Sequence, residues 1–280
     1  NYKKATKCLE ESLAIFQEFF PNEGIDIAWT SVYLGILYRN LGEHEKSKKL
    51  HEVGYDIYKK LFPENHIKVA WAAGHLGNIY TELGYYAKAR DLLEKSLAVY
   101  KRLNPDNHYE IARTQLYLAN AYKGLKNFKK AEKLLQESLI TYEKTYGKNH
   151  VETGRVLGSL GQVYLGVNRL DSAEKFLNKS LRNFQDSKHP KAYISLEDLA
   201  ILYLKRSEKA AHKGDKQKYR VFKQRATDSL KQVLEIVKST FPENSPHILR
   251  VQEKIKELEQ KEKRDILIKM PKVLENNIMP

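Results

Sequence analysis

The chain is poor in the residues that would make it a disulfide scaffold, a fibre, a membrane span or a metal centre. Its one cysteine, Cys8, permits no internal disulfide and no thiolate cluster, which points to a reducing compartment, with the cytoplasm as the expectation. Eight prolines and fourteen glycines in 280 residues exclude collagen-like and low-complexity chains. No run of about 18 apolar residues is present, so no membrane-spanning helix is expected. There is no phosphate-cradling Gly-x-x-x-x-Gly-Lys, no Gly-x-Ser-x-Gly elbow and no His-Glu-x-x-His helix. Paired acids such as Glu10-Glu11 read as a charged helix face, and neither an enzyme nor a bound cofactor is expected. The start, Asn1-Tyr2-Lys3-Lys4, has neither an initiator methionine nor a signal-peptide layout, and reads as part of a longer protein.

What is present is ample apolar material, 41% of residues, with 30% charged, enough to build a core. Lysine and arginine number 49 against 35 aspartates and glutamates, a net charge of +14 that favours acidic partners: peptide, nucleic acid or membrane surface.

The dominant signal is a period of 42. A small residue recurs as Ala5, Ser47, Ala89, Ala131 and Ala173. Eight positions on stand Leu13, Tyr55, Leu97, Leu139 and Leu181, and three after those Phe16, Tyr58, Tyr100, Tyr142 and Phe184. A second ladder runs through Leu34-Gly35, Leu76-Gly77, Leu118-Ala119 and Leu160-Gly161, with Tyr38, Tyr80, Tyr122 and Tyr164 after them, assigned to the core. Within a unit the apolar residues fall at helical spacing, broken near Leu83-Gly84, so each unit predicts a helix hairpin that needs its neighbour to complete a core. The linkers Phe62-Pro63-Glu64-Asn65-His66, Asn104-Pro105-Asp106-Asn107-His108 and Tyr146-Gly147-Lys148-Asn149-His150 stop one helix, and Asn65, Asn107 and Asn149 are expected to cap the next. The recurring His66, His108 and His150 lie in stacked units roughly 10 Å apart, too far to converge on one metal ion.

The Leu76-Gly77-Asn78-Ile79-Tyr80 and Gly84-Tyr85-Tyr86-Ala87-Lys88-Ala89 motifs resemble the tetratricopeptide repeat. The 42-residue period with its Pro-x-Asn-His linker resembles the long variant of the kinesin light chain family, over residues 1 to 245. The resemblance implies an all-α, right-handed superhelical solenoid of stacked hairpins acting as a protein-interaction module. Repeats of this kind also serve as sensor arrays in nucleotide-binding signalling proteins. Many members place Asn just before the first-helix Leu; Tyr33, His75, Tyr117 and Ser159 stand there, so a family peptide-clamping asparagine is not carried over.

The expected organisation is an array over 1–245: a partial first repeat at 1–20, then units at about 24–62, 66–104, 108–146, 150–187 and 190–241, a capping helix at 246–264, and a tail at 265–280. From Leu160 to Leu199 is 39 residues rather than 42, whereas Leu199 to the equivalent Ala226 is 14 longer than in other units. The extra length, 205–231, carries ten Lys and Arg against Glu208, Asp215 and Asp228. Its aromatics, Tyr219 and Phe222, are few for a single-strand nucleic-acid binder.

The first helices of stacked hairpins line the concave side. Their inward stripe reads Trp29/Tyr33/Ile36/Arg39, Trp71/His75/Asn78/Thr81, Arg113/Tyr117/Asn120/Lys123 and Arg155/Ser159/Gln162/Leu165. Tryptophan and arginine dominate binding hot spots, and side-chain amides match a peptide backbone. The candidate peptide-binding residues are therefore Trp29, Tyr33, Arg39, Trp71, His75, Asn78, Arg113, Tyr117, Asn120, Lys123, Arg155 and Gln162, for an acidic, partly apolar peptide. Nucleic acid or anionic membrane on the basic surface is the alternative, with self-association through the C-terminal tail a third.

Overall fold

The computed structural model describes residues 2–20, 24–105 and 108–267. Among them are twelve helices and no strand: α1 Tyr2–Phe19, α2 Gly24–Leu41, α3 His44–Leu61, α4 Ile67–Glu82, α5 Tyr86–Leu103, α6 His108–Gly124, α7 Phe128–Tyr146, α8 Val151–Gly166, α9 Leu170–Asp186, α10 Ala192–His212, α11 Lys216–Thr240 and α12 Pro246–Leu267. Helices α2 to α11 pair as five successive hairpins, each packed on the next. The helix expected at 246–264 is found and runs on to Leu267; residues 268–280 of the expected tail lie outside the described residues.

Each hairpin turns on one left-handed residue. Gly42, Gly84, Lys126, Asn168 and Gly214 all have φ between 59° and 84°. The amide after each bonds back five residues, as in Glu43 N to Tyr38 O (2.9 Å), Tyr85 N to Tyr80 O (2.8 Å) and Asn127 N to Tyr122 O (2.8 Å). This C-terminal turn satisfies the last carbonyls of the first helix and reverses the chain. Between α9 and α10 the same device appears at Lys188 (φ 48°), with His189 N bonded to Phe184 O at 2.8 Å. That tighter turn accounts for the linker being three residues short.

The seam of each hairpin is built from the small-residue ladder. Ser47, Ala89, Ala131, Ala173 and Ala226 have no exposed surface. Ala5 is exposed, because no helix precedes α1 among the described residues to cover it. A Cβ on Gly77 would lie 2.6 Å from Leu93, and one on Gly161 2.6 Å from Leu177, so glycine sets the approach of the paired helices there. Ser96, Ser138 and Ser180, again 42 apart, donate to the carbonyls of Ala70, Ala112 and Gly154 at 2.7, 2.8 and 2.7 Å. Each bond fastens the second helix of a pair to the first.

The tyrosine ladder fastens one unit to the previous one. Tyr38, Tyr80 (2.9 Å) and Tyr122 donate to Glu10, Glu52 and Glu94, 28 residues back, and Tyr164 donates to Glu132 at 2.6 Å. Only Tyr122 of the four is fully buried; the other rings are half-buried, with their hydroxyls directed at these carboxylates. Burial and the Glu10 or Glu52 carboxylate push the Tyr38 and Tyr80 hydroxyls up to about 12. Glu10 thus has a partner across the unit boundary rather than only a place on a solvated face.

The linkers correct one expectation. The capping side chains are His66 and His150, not Asn65 and Asn149: their Nδ1 atoms accept from Lys68 N and Glu152 N at 3.2 Å. His66 and His150 are the residues with extended backbone immediately before the helix, and their rings stack on Phe62 and Tyr146 at 4.2 and 4.7 Å. Asn107 lies outside the described residues.

The array comes round on itself. Tyr193, Leu196, Val233, Val237, Phe241, Ile248 and Val251 form a cluster of α10, α11 and α12, and Leu41 at the end of α2 packs against it. A Cβ on Gly42 would sit 3.1 Å from Nε2 of His247. The C-terminal helix therefore meets the first full hairpin and encloses the inner face.

Candidate binding cavity on the inner face

Helices α2, α4, α6, α8 and α10 supply the inner wall, and α12 closes it with Arg250 and Lys254. The enclosed cavity measures about 550 Å³. Seven sequence-predicted residues line it: Arg39, Asn78, Tyr117, Asn120, Lys123, Arg155 and Gln162. Trp29, Tyr33, Trp71, His75 and Arg113 do not, and the inner face accordingly divides into an aromatic shelf and a charged cavity.

On the shelf, Trp29 and Tyr33, one helical turn apart, have ring centroids 4.3 Å apart; Tyr33 and Trp71 follow at 5.6 Å, Trp71 and His75 at 5.0 Å, and His75 and Tyr117 at 6.4 Å. Exposure falls along this run, from 48% at Trp29 and 38% at Tyr33 to 6% at His75 and 4% at Tyr117. The shelf thus begins as open aromatic surface and ends inside the wall. His75 also stacks on His51 at 6.0 Å. His51 stands where other units have Leu93, Leu135 and Leu177, and its Nδ1 donates to Ser47 O at 2.8 Å. Burial pushes His51 down to about 4 and His75 well below its usual range, Arg113 adding to the latter.

In the cavity most charges have partners. Arg113, just outside it, pairs with Glu110 and lies over the Tyr109 ring at 5.5 Å. Arg155 bonds Glu152 at 2.7 Å. Burial raises the Tyr117 hydroxyl, but Arg155 and Arg113 beside it outweigh that and bring it below the ordinary phenol value. Lys123 donates to Asn120 Oδ1 (3.3 Å) and to Gln162 Oε1, and Gln162 Nε2 donates to Asp198 Oδ2 at 2.8 Å. Burial lifts Asp198 to about 6, against the pull of Gln162 and Lys123. Glu82 meets His44 at 3.3 Å and Arg39 at 3.9 Å, while Glu197 meets Arg250 at 2.8 Å and Lys254 at 3.4 Å.

Sequence reasoning missed Lys191, Glu82, Glu197, Asp198, Arg250 and Lys254 as cavity residues. The shortened linker before α10 was the available signal for Lys191. The contributions of α12 depend on closure and have no local signature. Asn78 is 6% exposed, and Asn120 and Gln162 bond Lys123, so the amide row is partly engaged within the wall.

The extension beyond the regular period lengthens α10 to 21 residues and α11 to 25. Arg206 is held by Asp171 (2.7 Å) and Glu174 (2.8 Å), and Lys223 lies over Tyr219 at 5.5 Å. Lys209, Lys213, Lys216 and Lys218 near its tip are exposed. Among the described residues no three His, Cys, Asp or Glu side chains group to hold a metal, and no helix is long and apolar enough to cross a membrane.

A family model described as tetratricopeptide repeat matches residues 1–60, 26–102 and 110–186. No curated protein matches the sequence. Among solved structures, a Rap protein complexed with Competence and Sporulation Factor superposes with TM-score 0.60 at 11% identity, over 91% of this chain and 80% of that one. BtubC (BKLC) from P. vanneervenii gives 0.58 at 19%, over 86% and 94%. The Q17M form of the TPR-like repeats of a kinesin light chain-type protein from Podosopora anserina gives 0.51 at 20%, over 67% and 88%. At these identities the likeness is one of fold. With the repeat model covering most of the chain and the hairpins in place, the chain belongs to the tetratricopeptide repeat family, in an array like that of kinesin light chain-type proteins.

Proposed function

We propose that this array is a non-catalytic scaffold or adaptor that holds an acidic, partly apolar peptide along its inner face. The observation that carries this reading is the junction of an open aromatic shelf, Trp29–Tyr33–Trp71, with a cavity richer in cations than in acids. An apolar side chain of the peptide would rest on the shelf, and its carboxylates would meet Arg39 and Arg155, giving the bound peptide a direction. Aromatic and arginine anchors concentrate binding energy in interfaces of this kind. The Rap complex, whose fold is similar, is a structure with a factor bound. The matching family is a repeat family, not a catalytic one.

The test is calorimetric titration of an acidic, leucine-containing peptide against wild type, Trp71→Ala and Arg39→Ala at two salt concentrations. Each substitution should weaken binding, and salt should weaken it for wild type more than for Arg39→Ala. Equal affinity in all three proteins would move the site off the inner face.

A further inference from the structure

Lys191 is the residue of the cavity that the peptide reading leaves unused. It immediately precedes α10, so the positive end of that helix dipole adds to its own charge. Its side chain lines the cavity with Arg39 and Arg155, yet among the described residues no carboxylate lies within ion-pair distance of its ammonium group. The acids nearby are engaged elsewhere: Glu82 with Arg39 and His44, Glu152 with Arg155. Burial, and then Arg155 and Arg39, push the Lys191 amine down to about 7 from 10.5, the mark of a cation whose surroundings lack a counter-charge.

The charge of the whole cavity points the same way. Six cations line it, Arg39, Lys123, Arg155, Lys191, Arg250 and Lys254, against three acids, Glu82, Glu197 and Asp198. Glu152 behind Arg155 makes a fourth acid, leaving two positive charges uncompensated. A carboxylate would neutralise one of them; a doubly charged tetrahedral oxyanion neutralises both and offers acceptors to two forked guanidinium groups and an ammonium. The volume of about 550 Å³ is several times that of a single phosphate, and so admits a larger group attached to the anion.

We propose that the cavity holds a phosphoryl group between Lys191, Arg39 and Arg155, carried as a free phosphate species or on the phosphorylated side chain of a peptide lying on the inner face. The peptide source rests on the function proposed above; the anion site does not, because an inorganic oxyanion fills it without any peptide.

Proton linkage gives the site a pH dependence. The groups facing Lys191 are Arg39 on α2, Glu82 on α4, Glu152 and Arg155 on α8, and His189 in its own linker. The arginines and acids keep their charge from pH 7 to 9, and His189, held below its ordinary value by burial and by Lys191, is neutral there. The bound anion needs the protonated amine, so affinity should fall above pH 7, by up to roughly tenfold per pH unit.

The probes are sodium sulfate, whose charge is constant from pH 6 to 9, and inorganic phosphate, titrated calorimetrically into wild type, Lys191→Met and the exposed control Lys216→Met. Wild type and the control should bind sulfate saturably at one site, more weakly at pH 9 than at pH 7. Lys191→Met should lose at least tenfold in affinity together with its pH slope. It should also melt at a higher temperature than wild type at pH 7 without anion, since an uncompensated buried cation has been removed. Sulfate affinity equal in wild type and Lys191→Met, or a lower unliganded Tm for Lys191→Met, would overturn the site and make Lys191 a structural partner. A phosphorylated peptide and its unphosphorylated twin separate the sources. A phosphopeptide that binds more tightly than both inorganic phosphate and the twin identifies the side chain as the carrier; equal binding of phosphopeptide and phosphate assigns the site to the free anion. If the twin binds as well to Lys191→Met as to wild type while sulfate does not, the peptide reading stands and the anion site is confirmed separately.

Discussion

Two sets of positions recur every 42 residues and behave in opposite ways. At the hairpin seam, Ala89, Ala131 and Ala173 repeat the same residue, the same burial and the same role. On the inner face, Trp29, Trp71, Arg113 and Arg155 also share one register, yet one is open surface, one is wedged between Tyr33 and His75, and two are arginines paired with neighbouring glutamates. A seam position has one geometric task, to let two helices approach, and a small residue performs it in every unit. An inner-face position meets whatever the cavity holds, so its chemistry varies along the array. In a repeat protein, repetition marks what the stack needs, and departure from repetition marks where the units differ in use.

The largest effect should come from breaking the seam. Ala131→Leu inserts a side chain where none of the surface is free, and should cost about 3 kcal/mol in denaturant unfolding through overpacking. The same substitution at the exposed Ala5 should be close to neutral. An equal loss at both sites would mean that the seam is not what the ladder encodes.

A comparable effect should follow acidification. His51 is held near 4 by burial, below its unfolded value, so the unfolded chain binds more protons over this range. Stability should therefore fall as pH drops from about 6.5 towards 4, by roughly 3 kcal/mol for His51 alone. His51→Leu restores the residue type of the other units and should remove most of this acid loss, measured as Tm against pH. The reversal would sharpen the contrast, since His51 is a seam position that departs from its ladder.

On the inner face, Arg155→Ala should weaken the acidic peptide by about 2 kcal/mol and reduce the salt dependence of its binding. Trp29→Ala should weaken it without changing that dependence. Neutralising Lys209, Lys213, Lys216 and Lys218 should lower retention on heparin while leaving peptide affinity within about 0.5 kcal/mol, because these lysines lie near the tip of the long hairpin, outside the cavity lining. The smallest effect belongs to a turn. Lys126 holds the left-handed position that Gly42 and Gly84 occupy elsewhere, and Lys126→Gly should gain about 0.5 to 1 kcal/mol.

The helix hairpins were legible because the period exposes them: the small residues, the Leu-Gly pairs and the turn positions are local or recur at a fixed interval. Half of the cavity was legible too, since Arg39, Asn120, Lys123, Arg155 and Gln162 follow from counting along one helix face. The rest was hidden for two physical reasons. Glu197, Arg250 and Lys254 come together only because the array closes, bringing residues more than 50 positions apart into contact across no shared register. The partners of the predicted residues were also hidden: Glu110 and Glu152 stand one helical turn before Arg113 and Arg155, a spacing visible in the sequence, but whether an arginine turns to that acid or to the groove depends on the room its neighbours leave. The histidine caps escaped because asparagine is the commoner capping residue, while stacking on Phe62 and Tyr146 favours the ring that follows it.

The chain has two tryptophans, Trp29 and Trp71, and both belong to the shelf, so intrinsic fluorescence reports on the proposed site without a label. The most direct test is a titration of wild type with an acidic peptide free of tryptophan, following Trp emission and bound heat in the same samples. The account predicts that the emission maximum shifts to shorter wavelength along the same isotherm as the heat, and that the shift is lost in Trp29→Phe/Trp71→Phe while peptide binding survives in weakened form. Peptide binding by heat with no change in tryptophan emission would place the ligand away from the inner face and contradict it.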